Sequence, residues 1–144
     1  MMFLVAAYRA GALAMAEPMF RVKTQDQYVM IAMANASRAA TIRNAVLELT
    51  DDVALAADGT AAAELMSKRG APRLLITDLS LPALDGFALV RQLRETAPQS
   101  RSAVIALSAH ESLRTAARDL ADSLGIASVL LADPGRLNCH YHQS

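Results

Sequence analysis

Apolar positions along the chain come in short runs, separated by amphipathic stretches and by Gly, Pro, Asp or Asn. Tyr28-Val29-Met30-Ile31-Ala32-Met33 is a continuous apolar run, the pattern of a strand buried on both faces. Asn35-Ala36-Ser37 supplies cap-type residues, and Ala39, Ile42, Val46 and Leu49 then recur at helical spacing. Asp51-Asp52 break that pattern before a short second strand, Val53 to Ala57. Asp58-Gly59-Thr60 is a turn leading into a helix over Ala61 to Arg69, stopped by Gly70. Arg73 to Thr77 forms a third strand, with Asp78 at its carboxyl end. The segment Leu79 to Leu84, with Pro82, is a loop. Asp85-Gly86 starts a helix carrying Phe87, Val90 and Leu93 on one side, and Pro98 closes it. Ala103 to Leu107 is a fourth strand ending in Ser108. A helix follows with Leu113, Ala117, Leu120 and Leu124, ending at Gly125, and Ala127 to Leu131 is a fifth strand before Asp133-Pro134.

This alternation predicts an α/β fold: a doubly wound parallel sheet of five strands, joined by right-handed crossovers. The first, third and fourth strands are the most apolar and belong at its centre. In such a sheet the functional crevice lies outside the carboxyl ends of the strands, where the strand order switches. That places Met33-Ala34, Asp78, Ser108 and Asp133 around one crevice.

Both ends of the chain read differently. Residues 1–26 form an N-terminal extension and link, residues 27–134 the α/β domain, and residues 135–144 a short tail or degenerate helix. Met1 to Ala16 resembles a secretory signal only loosely. It lacks a basic residue ahead of the apolar part, and Arg9 interrupts it. A short helix ending near Glu17-Pro18 fits better, the alternative being an extension upstream of a start at Met15 or Met19. After Pro134 only Leu137 and Tyr141 are spaced apolar anchors, so the tail makes two helical turns at most. One flank of the sheet is then undercovered. The N-terminal helix is the expected cover, from the same chain or exchanged with a second copy. Cys139, His140 and His142 cluster in that tail, but three residues on a frayed terminus specify no metal geometry.

Composition narrows the function classes. In 144 residues, 14 basic side chains balance 14 acidic ones, so the basic surplus of a nucleic-acid binder is missing. Hydrophobic residues make up 53% and charged ones 19%, which excludes wholesale disorder. A single cysteine excludes an internal disulfide framework. Apolar runs stay too short for an ordinary membrane span. The expectation is a cytoplasmic protein.

Asp78 is the residue with the most chemistry to offer. A carboxylate closing an apolar strand serves as nucleophile, metal ligand or cap for local N–H groups. Ser108 sits at the next strand end, where its hydroxyl can reach an oxygen above Asp78 or make a turn hydrogen bond. His110 follows closely; it is either a loop residue or a cation approaching Asp78.

Leu74-Leu75-Ile76-Thr77-Asp78-Leu79-Ser80-Leu81-Pro82-Ala83-Leu84-Asp85-Gly86 resembles the phosphoacceptor region of bacterial response-regulator receiver domains. The likeness extends to Val104-Ile105-Ala106-Leu107-Ser108-Ala109, to Ile42-Arg43-Asn44 and to Leu47-Glu48-Leu49, and so spans Gln27 to Pro134. It implies a flavodoxin-like sheet in the order 2-1-3-4-5 with five helices. It also implies that Asp78 matches the aspartate that accepts a phosphoryl group from a histidine kinase. Ser108 matches the switch position, and Ser80 the loop residue whose carbonyl helps hold Mg²⁺.

Other positions depart from that pattern. The family's acidic pair at the end of the first strand falls on Met33 and Ala34. Its lysine after the fifth strand falls on Asp133, and its switch aromatic on Leu130. Phosphoryl transfer needs its developing charge neutralised by metal and cation. Mg²⁺ demands near-ideal octahedral oxygen ligation, and neither Met33 nor Ala34 supplies a side-chain oxygen. Asp133 puts a negative charge where the family has a positive one. At an effective dielectric of about 20 one close charge pair is worth about 4 kcal/mol.

The implied function is therefore a degenerate stand-alone receiver that signals through protein partners and is not an enzyme. It would have no cofactor, and its pocket should be small, dry and held in one state. The alternative is a working phosphorelay receiver, the one case that calls for Mg²⁺. A small hydrolase built on Asp78 and Ser108 lacks the basic residue and second carboxylate it would need. A homodimer would form through the N-terminal helix, or through the face of the fourth helix and fifth strand.

Overall fold

A computed structural model describes residues 28–97 and 101–132. Among these residues nine elements alternate. They are β1 (Val29–Ala32), α1 (Ala36–Val46), β2 (Val53–Ala56), α2 (Gly59–Arg69), β3 (Leu74–Asp78), α3 (Gly86–Thr96), β4 (Ala103–Leu107), α4 (Glu111–Leu124) and β5 (Ala127–Leu131). The strands form one parallel sheet in the order β2-β1-β3-β4-β5. This is the expected order, and the apolar strands β1, β3 and β4 are interior.

Residues of alternating parity along each strand feed two cores. Met30, Ala32, Leu75, Val104 and Ala106 face α2, α3 and α4, where Met66, Leu89, Leu93, Ala117 and Ala121 are buried. Val29, Ile31, Leu74, Ile76, Ile105 and Leu131 face the other way, with Ile42 and Val46 of α1. Period-two alternation within a strand makes this division, since successive side chains leave opposite faces.

Element ends follow local chemistry. Asn35 caps α1 by accepting the Arg38 N–H at 3.0 Å. Asp58 caps α2 through Ala61 N–H at 2.8 Å, and Asp85 caps α3 through Ala88 N–H at 3.0 Å. Gly125 ends α4 in the left-handed region at φ 70°, where a side chain would be strained. Arg94 of α3 reaches across to donate Nε to the Leu124 carbonyl at 2.9 Å, satisfying an orphan acceptor of that helix end.

Several boundaries differ from the sequence pattern. The first strand is shorter than its apolar run, since Tyr28 and Met33 are buried outside the ladder. Helix α1 stops at Val46 rather than continuing to Leu49, and Leu47 is exposed. Helix α2 begins at Gly59 because its cap is Asp58. Strand β3 runs one residue further, so Asp78 is its last residue and pairs with Leu107. The face of α4 buries Ala117 and Ala121, while Leu113, Leu120 and Leu124 pack half-buried around them. The expected N-terminal helix, Pro98, Asp133 and the tail with Cys139, His140 and His142 lie outside the described residues.

Candidate functional site

The parallel register brings the carboxyl ends of β1, β3, β4 and β5 to one edge of the sheet. The backbone there is closely tied. Leu79 N–H donates to Leu107 O at 2.9 Å, and Ser108 N–H donates to Leu131 O at 3.0 Å. Thr77 Oγ1 donates to the Asp78 carbonyl at 2.8 Å. Gly86 closes the loop by donating its N–H to Leu79 O at 3.1 Å. An added Cβ on Gly86 would stand 2.6 Å from the Asp78 carbonyl oxygen. The Asp85-Gly86 pair is therefore structural: one residue caps α3 and the other lets the helix start against the backbone of Asp78.

Above this edge is an open cleft of about 250 Å³. Asp78, Ser80, Ser108 and His110 all line it, so the tertiary structure gathers the expected residues. Arg38, Leu107, Ala109 and Ala132 complete the wall. Asp85 caps α3, while Asp78 lines the cleft. The Asp78 side chain is 16% exposed. Burial disfavours its charged form and raises its pKa above the usual 3.8; the Arg38 guanidinium pulls in the opposite direction and only partly offsets this.

Arg38 Nη2 lies 3.7 Å from Asp78 Oδ1, and its side chain is 41% exposed. Sequence reasoning missed this residue. A signal was present, because a basic residue in the first turn of α1 opposes the helix dipole, which favours acids there. His110 does not take the role considered for it. It is exposed at the N-cap of α4, with its backbone N–H donating to Ser108 Oγ at 3.1 Å. Ser108 thus makes the turn hydrogen bond and lines the cleft as well. Its carbonyl accepts Arg114 Nη1 at 2.7 Å.

The positions that depart from the receiver pattern fall as follows. Met33 is 2% exposed and packs into the α1 core. Ala34 is exposed and carries no oxygen on its side chain. Leu130 stands in β5 opposite Ala106 and packs on the α2–α4 core. Arg38 puts a charged group on the wall of this open cleft, beside the positions of the family's acidic pair.

Among the described residues, those around Asp78 do not fit Mg²⁺. The donor set offers one carboxylate, the neutral oxygens of Ser80 and Ser108, and a fixed positive charge 3.7 Å from the carboxylate oxygen. Hard divalent cations need several anionic or carbonyl oxygens in octahedral array. Among the described residues, no group of three His, Cys, Asp or Glu side chains converges on one point.

A 2-1-3-4-5 parallel sheet with an aspartate closing β3 and a serine closing β4 defines a receiver-type signalling domain. The family model for the response regulator receiver domain matches residues 24–131, so the chain belongs to that family. Solved structures agree. The receiver domain of AraT, a response regulator from Geobacillus stearothermophilus, is 30% identical with TM-score 0.59, covering 82% of this chain and 92% of that one. The isolated receiver domain of RcsB from Salmonella enterica serovar Typhimurium, with the phosphomimetic BeF3-, is 26% identical with TM-score 0.57, covering 81% and 86%. The Vibrio cholerae chemotaxis protein CheY4 is 18% identical with TM-score 0.61, covering 81% and 97%, a likeness of fold. Comparison with curated protein sequences finds no significant match.

Proposed function

We propose that this receiver works as a protein-interaction module of a signalling pathway, without efficient Mg²⁺-dependent phosphorylation of Asp78 and without enzymatic activity of its own. The observation that carries this reading is the surroundings of Asp78: an arginine at 3.7 Å, and a buried methionine at the position of the family's acidic pair. Metal-assisted phosphoryl transfer requires cationic neutralisation spread over the transferring oxygens. A single guanidinium already drawn to the acceptor carboxylate is a poor substitute for a metal bridging acceptor and phosphoryl group.

The competing reading is a phosphorelay receiver, favoured by the gathering of Asp78, Ser80 and Ser108 at one cleft. Incubation with a small phosphodonor and Mg²⁺, followed by intact-mass measurement, separates the two. The expected result is no mass gain. A stoichiometric gain of one phosphoryl group that disappears in Asp78→Asn would establish the competing reading instead.

The partner class is another signalling protein or a second copy of this chain, in the cytoplasm. Balanced charge argues against nucleic acid. Among the described residues no helix is long and apolar enough to cross a membrane. Among the described residues the face of α4 and β5 suits self-association, Ala127 to Leu130 being partly exposed there; the N-terminal segment, the other candidate from the sequence, lies outside the described residues.

A further inference from the structure

Arg38 is the charged residue of the cleft that the receiver pattern does not account for. It occupies the third position of α1, fixed there by the Asn35 cap on its own N–H. A cation at that end of a helix faces the positive pole of the dipole, so helix formation does not explain its presence. What it gains is Asp78: Nη2 and Oδ1 are 3.7 Å apart, across the gap between α1 and the end of β3. That separation exceeds a direct hydrogen bond, so the pair interacts as charges rather than as a locked bidentate fork. The guanidinium is a positive charge on the wall of the cleft.

We propose that Arg38 is a resident cation that stands in for a divalent metal beside Asp78 and excludes such a metal from the cleft. This rests on the reading of a receiver without efficient metal-dependent phosphorylation, and adds its physical agent. The loss of side-chain oxygens at Met33 and Ala34 weakens a metal site, whereas a fixed positive charge actively opposes one. Restoring an oxygen ligand alone should then leave metal affinity poor. A divalent ion bound to Asp78 would have to displace Arg38 or sit a few ångströms from it.

The test uses the full chain and Mn²⁺ as probe, with free Mn²⁺ counted by electron paramagnetic resonance at neutral pH. Ala34 is exposed, so Ala34→Asp restores one carboxylate without disturbing the core where Met33 is packed. Arg38→Met is then added to that background, and Arg38→Lys in parallel. Circular dichroism melts confirm that each variant is folded. The Ala34→Asp/Arg38→Met protein is expected to bind Mn²⁺ at least about tenfold more tightly than Ala34→Asp alone, a screened fraction of one close charge pair. Ala34→Asp/Arg38→Lys should match Ala34→Asp. Equal affinity with and without Arg38, including no binding in either case, overturns the proposal and leaves the broader reading standing. Tight binding by the unaltered chain that is lost in Asp78→Asn overturns both.

Discussion

Asp78 illustrates how position converts an ordinary carboxyl into a sensitive one. Burial makes its charged form unfavourable, and Arg38 recovers only part of that. Its proton is therefore held more tightly in the folded chain than in the unfolded one. Between the unfolded value of 3.8 and the raised folded value the native state binds more protons, so stability falls as pH rises through that window. At neutral pH the ionised carboxylate is a standing cost that an amide does not carry. Asp78→Asn is expected to melt higher than the parent at pH 7, with the advantage fading as the pH is taken below about 4, where the carboxyl is protonated in both states. Thermal melts across that range check it; a difference in melting temperature that does not change with pH would contradict it. Ala83 is the other residue set by context, since it holds φ 70° in the loop after β3, a region L-residues avoid.

Helices α2 and α3 each start with a glycine set against the backbone of β3 or of the loop that follows it. Gly59 donates its N–H to Pro82 O at 3.1 Å, and a Cβ there would fall 1.7 Å from the Leu84 carbonyl oxygen. A Cβ on Gly86 would fall 2.6 Å from the Asp78 carbonyl oxygen and 3.0 Å from the Leu79 Cα. Both contacts are with backbone, which cannot rotate aside. Gly86→Ala is expected to lower stability by about 1–3 kcal/mol, the usual range for forcing extra carbon into a packed site. Urea unfolding should show the midpoint falling with an unchanged slope; a midpoint equal to the parent's would show that the helix start has room. The D-G dipeptide was legible in the sequence as a helix start, but the reason for its glycine was not. That reason is the approach of α3 to β3, a tertiary distance.

Among the described residues the sheet is unevenly covered. Three helices pack on one face, while α1 is the helix on the other among the described residues and lies over β1 and β2. The N-terminal segment, to which the sequence reading assigns the cover of the remaining flank, lies outside the described residues, as do residues 133–144. If the N-terminal segment covers that half-face, a version beginning at Met19 should melt lower than the full chain; if it exchanges between copies, the truncated protein should also lose mass by light scattering. Equal mass and equal melting temperature would dismiss both roles. If self-association survives the truncation, the surface of α4 and β5 is the one to mutate.

Strand and helix periodicity, caps at Asn35, Asp58 and Asp85, and the short connections were enough to determine the parallel sheet, its central strands and the place of Asp78 at its carboxyl edge. These are nearest-neighbour properties: side-chain alternation, capping and chain reach act over a few residues and are written where they act. Strand ends moved by a residue or so because the ladder, and not hydrophobicity, sets them. The partner of Asp78 is a different kind of fact. Arg38 and Asp78 meet only because α1, packed over β1 and β2, brings its first turn beside the carboxyl end of β3, and no local pattern links two positions on separate elements. The charge that governs the cleft was therefore decided by how the elements pack, and the chain alone could show only that an arginine sat at a helix end where it had no local reason to be.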